Sequence, residues 1–209
     1  MDAQLLLADQ RIVPVVVIDD PKTAVPLATT FVEAGLGAIE VTLRTPAAMK
    51  AIELIAKSVP ECLLGAGSVI TAAQLNEAAQ VGARFAVSPG SSEELLAAAQ
   101  KSKLPLVPGA ASASEIMNLQ SAGYTLQKLF PAELNGGTAW LKAISGPLPD
   151  ARFFPTGGVK PENAPAYLAL DNVRCVGGTW IASRDAISNG DFKSIKAKSL
   201  AALDLLAAS

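Results

Sequence analysis

Short runs of Val, Ile, Leu and Phe recur along this chain at a spacing that leaves room for one strand and one helix at a time. The runs begin near Ile12, Ala38, Leu63, Phe85, Leu104, Leu126, Arg152 and Val173, so successive starts lie 26, 25, 22, 19, 22, 26 and 21 residues apart. Ala-rich segments of helical period fill the intervals, the pattern of a parallel sheet covered by helices. Eight such units predict an α/β fold of the (β/α)8 TIM barrel type, with an open doubly wound sheet as the alternative. No linker or low-complexity stretch interrupts the series, and the 209 residues are 50% hydrophobic, enough for one large core. Residues 1–209 are therefore expected to form a single domain, with a short N-terminal helix ahead of the first strand.

Helix signals fall in the intervals. Asp20 before Pro21 and Thr45 before Pro46 read as N-caps with first-turn prolines, while Thr71 with Gln74, Ser91 with Glu94 and Ser112 with Glu115 read as capping boxes. Gly35, Gly82 and Gly123 read as helix ends, and residues 191–209 as a last amphipathic helix. Each of those glycines is followed five residues later by a strand residue, namely Glu40, Val87 and Lys128. The strands concerned are the second, fourth and sixth, and in an eight-stranded barrel alternate strands share a layer of the interior. Glu40 and Lys128 are thus expected to project toward each other from opposite walls.

The residue types present narrow the chemistry. Histidine is absent, which removes Ser/His/Asp and Cys/His triads, imidazole acid/base catalysis and nearly all zinc enzymes. Cys62 and Cys175 lie in apolar runs, as buried free thiols of a reducing compartment do, and cannot form a metal cluster. A net charge of -2, from 17 Lys+Arg against 19 Asp+Glu, provides no field for nucleic acid or an anionic membrane. Without a signal peptide or an apolar run near 18 residues, the protein is expected to be soluble and cytoplasmic. An enzyme of this composition works with Lys, Glu, Arg and hydroxyls, and neither metal nor cofactor is expected.

Lys128, in LQKLFPAE, is the one lysine of eleven set within an apolar strand. Burial disfavours the ammonium form, and a neutral amine is a nucleophile for carbonyls. The alternative is a structural lysine paired with a buried carboxylate. Glu40, in AIEVTLR, is costly in a covered strand unless it is paired or works. Alternation puts Glu40, Thr42 and Arg44 on one face, running toward the strand end where barrels carry their sites. A Glu40–Lys128 salt bridge with Arg44 capping a loop would explain the same residues structurally.

Two glycine-rich turns read as an anion site, with a pair of ordinary turns as the alternative. PTGG at 155–158 and GGTW at 177–180 end the seventh and eighth strands, whose loops in many barrels bind phosphate through backbone N–H groups. GAGS at 65–68 is weaker, since glycine there can serve close helix packing. Arg11 offers a second anion contact or a solvated surface charge. Together these residues point to an imine-forming lyase: Lys128 attacks the ketone of a 2-oxo acid, Glu40 moves protons and Arg44 holds the carboxylate. A non-catalytic phosphosugar-binding barrel gives no reason for a Lys/Glu pair, whereas a barrel epimerase uses both without a covalent bond.

Seven motifs in order carry a resemblance that spans nearly the whole chain: RIVPVVV (11–17), EVTLRT (40–45), GAGSV (65–69), SPG (88–90), KLFPAELNGG (128–137), FFPTGG (153–158) and GGTW (177–180). In these the sequence resembles the 2-keto-3-deoxy-6-phosphogluconate (KDPG) aldolases, bacterial class I aldolases of the Entner-Doudoroff pathway that also cleave 4-hydroxy-2-oxoglutarate. The resemblance implies Lys128 as the Schiff-base lysine, Glu40 as the proton-transferring carboxylate, and Arg44, Ser68 and Thr156 around the pyruvate part. It implies Pro89 and Phe130 as pocket walls, and Gly157, Gly158, Gly178 and Thr179 around the phosphate with Arg11 nearby. It also implies a homotrimer. Ser68 stands where threonine is usual in that family, Leu129 where phenylalanine is frequent and Thr179 where serine is usual. The first and third keep a hydroxyl, and the added or missing methyl bears on fine substrate preference and leaves the reaction type standing.

Overall fold

Strand and helix alternate along the chain in the computed structural model, which describes residues 3–207. Among the described residues nine strand segments follow one another: β1 (Ile12–Val16), β2 (Ala38–Thr42), β3 (Leu63–Gly67), β4 (Phe85–Val87), β5 (Leu106–Val107), β6 (Gly109–Ala110), β7 (Leu126–Leu129), β8 (Arg152–Pro155) and β9 (Val176–Gly178). The α-helices are α1 (Ala3–Leu6), α2 (Ala24–Glu33), α3 (Ala48–Ser58), α4 (Ala72–Gln80), α5 (Glu93–Lys101), α6 (Ala113–Ser121), α7 (Gly137–Ser145), α8 (Ala164–Leu168), α9 (Arg184–Ser188) and α10 (Phe192–Ala207). The short N-terminal helix is present as α1. Residues 208 and 209 of the expected last helix lie outside the described residues.

All strand pairs are parallel, in a six-stranded sheet of order β5-β4-β3-β2-β1-β9 and a three-stranded sheet of order β6-β7-β8. The expected single ring of eight strands is therefore nine segments in two sheets. Its fifth strand is divided at Pro108, with β5 paired to β4 and β6 paired to β7. Proline has no N–H to give to a ladder, so pairing changes partner there. At the other seam, β8 and the chain around β9 meet in the isolated parallel bridges Phe153↔Val173 and Thr156↔Gly177.

Six strand starts fall where the sequence places them and two do not. The expected start at Leu104 moves to Leu106, because the Leu104 N–H donates to Ser102 Oγ at 3.0 Å and Pro105 has none. The start at Val173 moves to Val176, because the Val173 N–H turns back to the Leu170 carbonyl at 2.9 Å.

Caps are corrected in the same way. Thr71 and Ser112 cap α4 and α6 as expected, but Ser92 rather than Ser91 caps α5, its Oγ accepting from Leu95 N at 3.2 Å. Asp20 accepts from Lys22 N and caps a 3-10 turn over Pro21–Thr23, after which α2 starts at Ala24. Thr45 caps nothing: its hydroxyl donates to the Ile18 carbonyl, and α3 begins at Ala48. Gly35, Gly82 and Gly123 follow their helices at φ +94°, +100° and +91°, the left-handed turn that glycine accepts without strain.

Strand alternation sorts the core into two clusters. Ile12, Val16, Ile39, Val41, Leu64 and Ala66 pack with helix residues such as Leu27, Phe31, Ile52 and Ile55. Val13, Ala38, Phe85, Val87, Val107, Leu126, Phe154 and Cys175 form the second cluster, joined by Ala3 of α1 and by Leu7. Each large side chain so buried stabilises the fold by roughly 1.5–3 kcal/mol. The second cluster occupies the face on which Glu40 and Lys128 also lie.

Candidate active site

Glu40 sits mid-strand in β2 and Lys128 third in β7, each on the alternate positions shared with the second cluster. They meet across the two sheets: Lys128 Nζ lies 3.0 Å from Glu40 Oε1, with side chains 4% and 0% exposed. The apposition expected from the glycine offsets is thus present, and Val87 takes its place in the apolar cluster beside it. Glu40 Oε2 is buried with no hydrogen-bond partner. That oxygen is open to a further hydrogen-bond donor.

Room for this pair comes from β3, whose Gly65 and Gly67 lie opposite Glu40 and Thr42 in the ladder. A Cβ on Gly65 would stand 2.2 Å from the Phe85 ring, and one on Gly67 2.1 Å from Glu40 Oε1. These glycines clear space on the side of the sheet that carries Glu40, and of the two uses of glycine here the structure shows this one. Two rings face the amine, with Lys128 Nζ 5.5 Å from the Phe130 centroid and 5.9 Å from that of Phe154. In the sequence Phe154 is indistinguishable from the neighbouring core residue Phe153, and nothing local marks it as a site residue.

Thr156 lies two residues beyond Phe154, the ladder partner of Lys128, and so shares its face. Its hydroxyl is buried without a partner, and a Cβ on Gly177 would stand 2.2 Å from it. Unsatisfied buried polar atoms are rare and costly, so two in one region mark a place prepared for a ligand. At the rim, Arg44 Nε donates to Ser68 Oγ at 3.0 Å. Ser68 is held at φ +56°, a conformation that non-glycine residues adopt at a cost and that gathers at functional positions. The Thr42 hydroxyl is committed to the Val16 carbonyl at 2.9 Å. Pro89 packs beside the lysine strand, since a Cβ on Gly109, the ladder partner of Lys128, would stand 2.3 Å from the Pro89 carbonyl.

The two glycine-rich turns lie side by side. Gly157 and Gly158 adopt φ +95° and +83°, and the bridge Thr156↔Gly177 sets this turn beside Gly178 and the exposed Thr179. The turn is strapped from below: Glu133 N donates to the Gly157 carbonyl at 3.1 Å, and Asn163 Nδ2 donates to the Gly158 carbonyl at 3.2 Å. Tyr167 OH donates to Glu133 Oε1, and burial followed by the neighbouring carboxylate pushes this phenol above its ordinary range. No sequence pattern announced that contact.

Arg11 is the correction in this site. The pairing Ile12↔Val176 puts it at the N-terminal end of β1, away from Gly178, which pairs with Pro14. Its guanidinium donates to the carbonyls of Leu168, Val173 and Arg174. It is neither a contact of the glycine turns nor a solvated surface charge. Among the described residues, no group of three His, Cys, Asp or Glu side chains could hold a metal ion, and no helix is long and apolar enough to cross a membrane.

Known proteins are similar to this chain in sequence and fold. The family model for KDPG and KHG aldolase matches residues 4–198. A 2-dehydro-3-deoxy-phosphogluconate aldolase of Pseudoalteromonas atlantica is 48% identical over 195 residues, covering 93% of this chain and 91% of that one. The crystal structure of a KDPG aldolase from Legionella pneumophila, with pyruvate captured at low pH as a covalent carbinolamine intermediate, aligns with a TM-score of 0.94 and 46% identity over 97% of this chain and 98% of the other. The KDPG aldolase of Zymomonas mobilis ZM4, crystallised with 3-phosphoglycerate, aligns with a TM-score of 0.89 and 38% identity over 95% and 93% of the two chains. This chain belongs to the KDPG and KHG aldolase family.

Proposed function

We propose that this chain is a class I, imine-forming aldolase that cleaves 2-keto-3-deoxy-6-phosphogluconate to pyruvate and glyceraldehyde 3-phosphate, and 4-hydroxy-2-oxoglutarate to pyruvate and glyoxylate. The observation that carries this reading is the buried 3.0 Å contact between Lys128 Nζ and Glu40 Oε1. Support comes from the Legionella relative, in which pyruvate is held as a covalent carbinolamine.

Lys128 passes a proton to Glu40 and attacks C2 of the 2-oxo acid. Glu40 returns the proton to the carbinolamine hydroxyl, which leaves as water and gives the protonated imine. The carboxylate then takes the proton of the C4 hydroxyl as the C3–C4 bond breaks; the aldehyde departs and the electron pair settles in the enamine. Glu40 protonates C3, and water releases pyruvate and returns the amine. The imine is the electron sink that other aldolases obtain from a metal, so no cofactor enters the scheme.

Arg44 pairs with the substrate carboxylate, with the Ser68 and Thr156 hydroxyls beside it, while Pro89 and Phe130 wall the pocket. Backbone N–H groups of Gly157, Gly158 and Gly178 with the Thr179 hydroxyl receive the phosphate. The 3-phosphoglycerate complex of the Zymomonas relative supports a site for a phosphorylated acid. We infer in addition that β5 and β6 are halves of one strand and that the two sheets close into an eight-stranded barrel, a single domain over 1–209. The enzyme is further proposed to work in the cytoplasm as a homotrimer, to which Leu134, 87% exposed, and Ile70, 60% exposed, offer apolar surface.

A coupled assay of pyruvate release from KDPG, its galactonate counterpart and 4-hydroxy-2-oxoglutarate tests the reaction and its selectivity together. Turnover of the first and third is expected. No pyruvate from any of them would favour the non-catalytic barrel.

A further inference from the structure

At the end of the strands opposite to the glycine turns, a cavity of about 230 Å³ is lined by Arg11, Arg152 and Arg174, with Asp171 among them. A neighbouring cavity of about 280 Å³ shares Arg152 and Asp171 and adds Lys142. Four cations thus border one cleft with a single lining carboxylate, in a chain whose net charge is -2. Among the described residues none of the four makes an ion pair.

Two of the guanidinium groups are fixed by neutral acceptors. Arg11 is held by the carbonyls of Leu168, Val173 and Arg174, and Arg152 by those of Pro149 and Ala151. These bonds orient the forks without neutralising them. Arg174 Nε is buried and has no acceptor at all. A buried guanidinium N–H without an acceptor, next to two other fixed cations, is costly unless an anion completes the group. Oriented guanidinium forks match the oxygens of a phosphate.

This is not an extension of the catalytic pocket. Arg152 opens β8, and Thr156 lies four residues further on, roughly 13 Å at about 3.3 Å per residue. We propose that the cleft is a second anion site, which takes a small phosphate-bearing molecule with its phosphate among Arg11, Arg152 and Arg174 and a further acidic group toward Lys142.

Calorimetric titration of the full chain with inorganic phosphate tests this, using the wild type, Arg174→Gln, Arg152→Gln and Thr179→Ala. Two phosphate sites per chain are expected in the wild type. Each arginine variant should weaken one of them about tenfold, equivalent to about 1.4 kcal/mol, with pyruvate release from KDPG unchanged. Thr179→Ala should weaken the other site alone, which keeps this inference separable from the proposed catalytic phosphate site. If Arg174→Gln fails to fold, Arg152→Gln decides. Malonate in place of phosphate should bind the cleft more weakly. Phosphate binding indifferent to both arginine variants, whether at one site per chain or two, or a cleft that takes an acidic polymer and not phosphate would overturn the proposal, whereas a single site weakened by both arginine variants would overturn only the proposed catalytic phosphate site.

Discussion

A Cβ built on Gly67 stands 2.1 Å from Oε1 of Glu40, the oxygen that receives Lys128. Glu40 is completely buried and has no solvent to swing into. Gly67→Ala must therefore push the carboxylate off the lysine. Displacement of a catalytic group by about 1 Å costs on the order of 10²-fold in rate, and overpacking costs about 1–3 kcal/mol. The variant is expected to lose at least that much kcat and to melt earlier; an unchanged kcat would mean that this placement of Glu40 is not required.

Glu40→Gln separates work from scaffolding. A positioned proton-transfer group is worth about 10²- to 10⁴-fold in kcat, and the amide nearly preserves shape, so turnover should fall by that factor with the fold kept. A purely structural partner of Lys128 would behave differently, costing stability by about 3–5 kcal/mol as a broken buried pair does and leaving turnover per folded molecule intact. Melting temperature and kcat from one preparation distinguish the two.

What could be read from the sequence was what is local and periodic. Six strand starts, the helix-closing glycines and the level shared by Glu40 and Lys128 follow from spacing alone, because a pleated strand repeats every two residues and a βα unit has a narrow length. Pro108 could be read as a proline but not as the point where pairing passes from β4 to β7. Ser91 and Ser92 are chemically identical caps, and only the first turn of α5 decides between them. Arg11 is the clearest limit: its long side chain reaches carbonyls more than 150 residues away, so its destination depends on how distant segments pack. The empty hydroxyl of Thr156 and the strap from Tyr167 to Glu133 are likewise products of packing between distant segments.

Thr179→Ala tests the phosphate end. Losing one neutral donor to a charged acceptor removes about 1.5–3 kcal/mol, or roughly 10- to 150-fold in kcat/KM. Cleavage of the phosphorylated substrate should fall by that factor, and cleavage of 4-hydroxy-2-oxoglutarate, with a smaller carboxylate at that end, much less. An equal decline for both would assign Thr179 to the packing of the chain after β9.

The thiols should be silent. Burial first and Glu61 second push Cys62 up to about 12, and burial raises Cys175 as well. At pH 8 about one Cys62 in 10⁴ is thiolate, the reactive form. Native protein with iodoacetamide at that pH should show no added mass by intact mass spectrometry and two modified cysteines after denaturation. Rapid native labelling would show that these sites open to solvent.

The mechanism stands or falls on which lysine forms the imine. Incubation with pyruvate and borohydride, followed by peptide mass spectrometry, should add one pyruvate-derived group per chain at Lys128, and Glu40→Gln should slow that trapping. Labelling at Lys142 or Lys160 instead, or no labelling while KDPG is still cleaved, would contradict it.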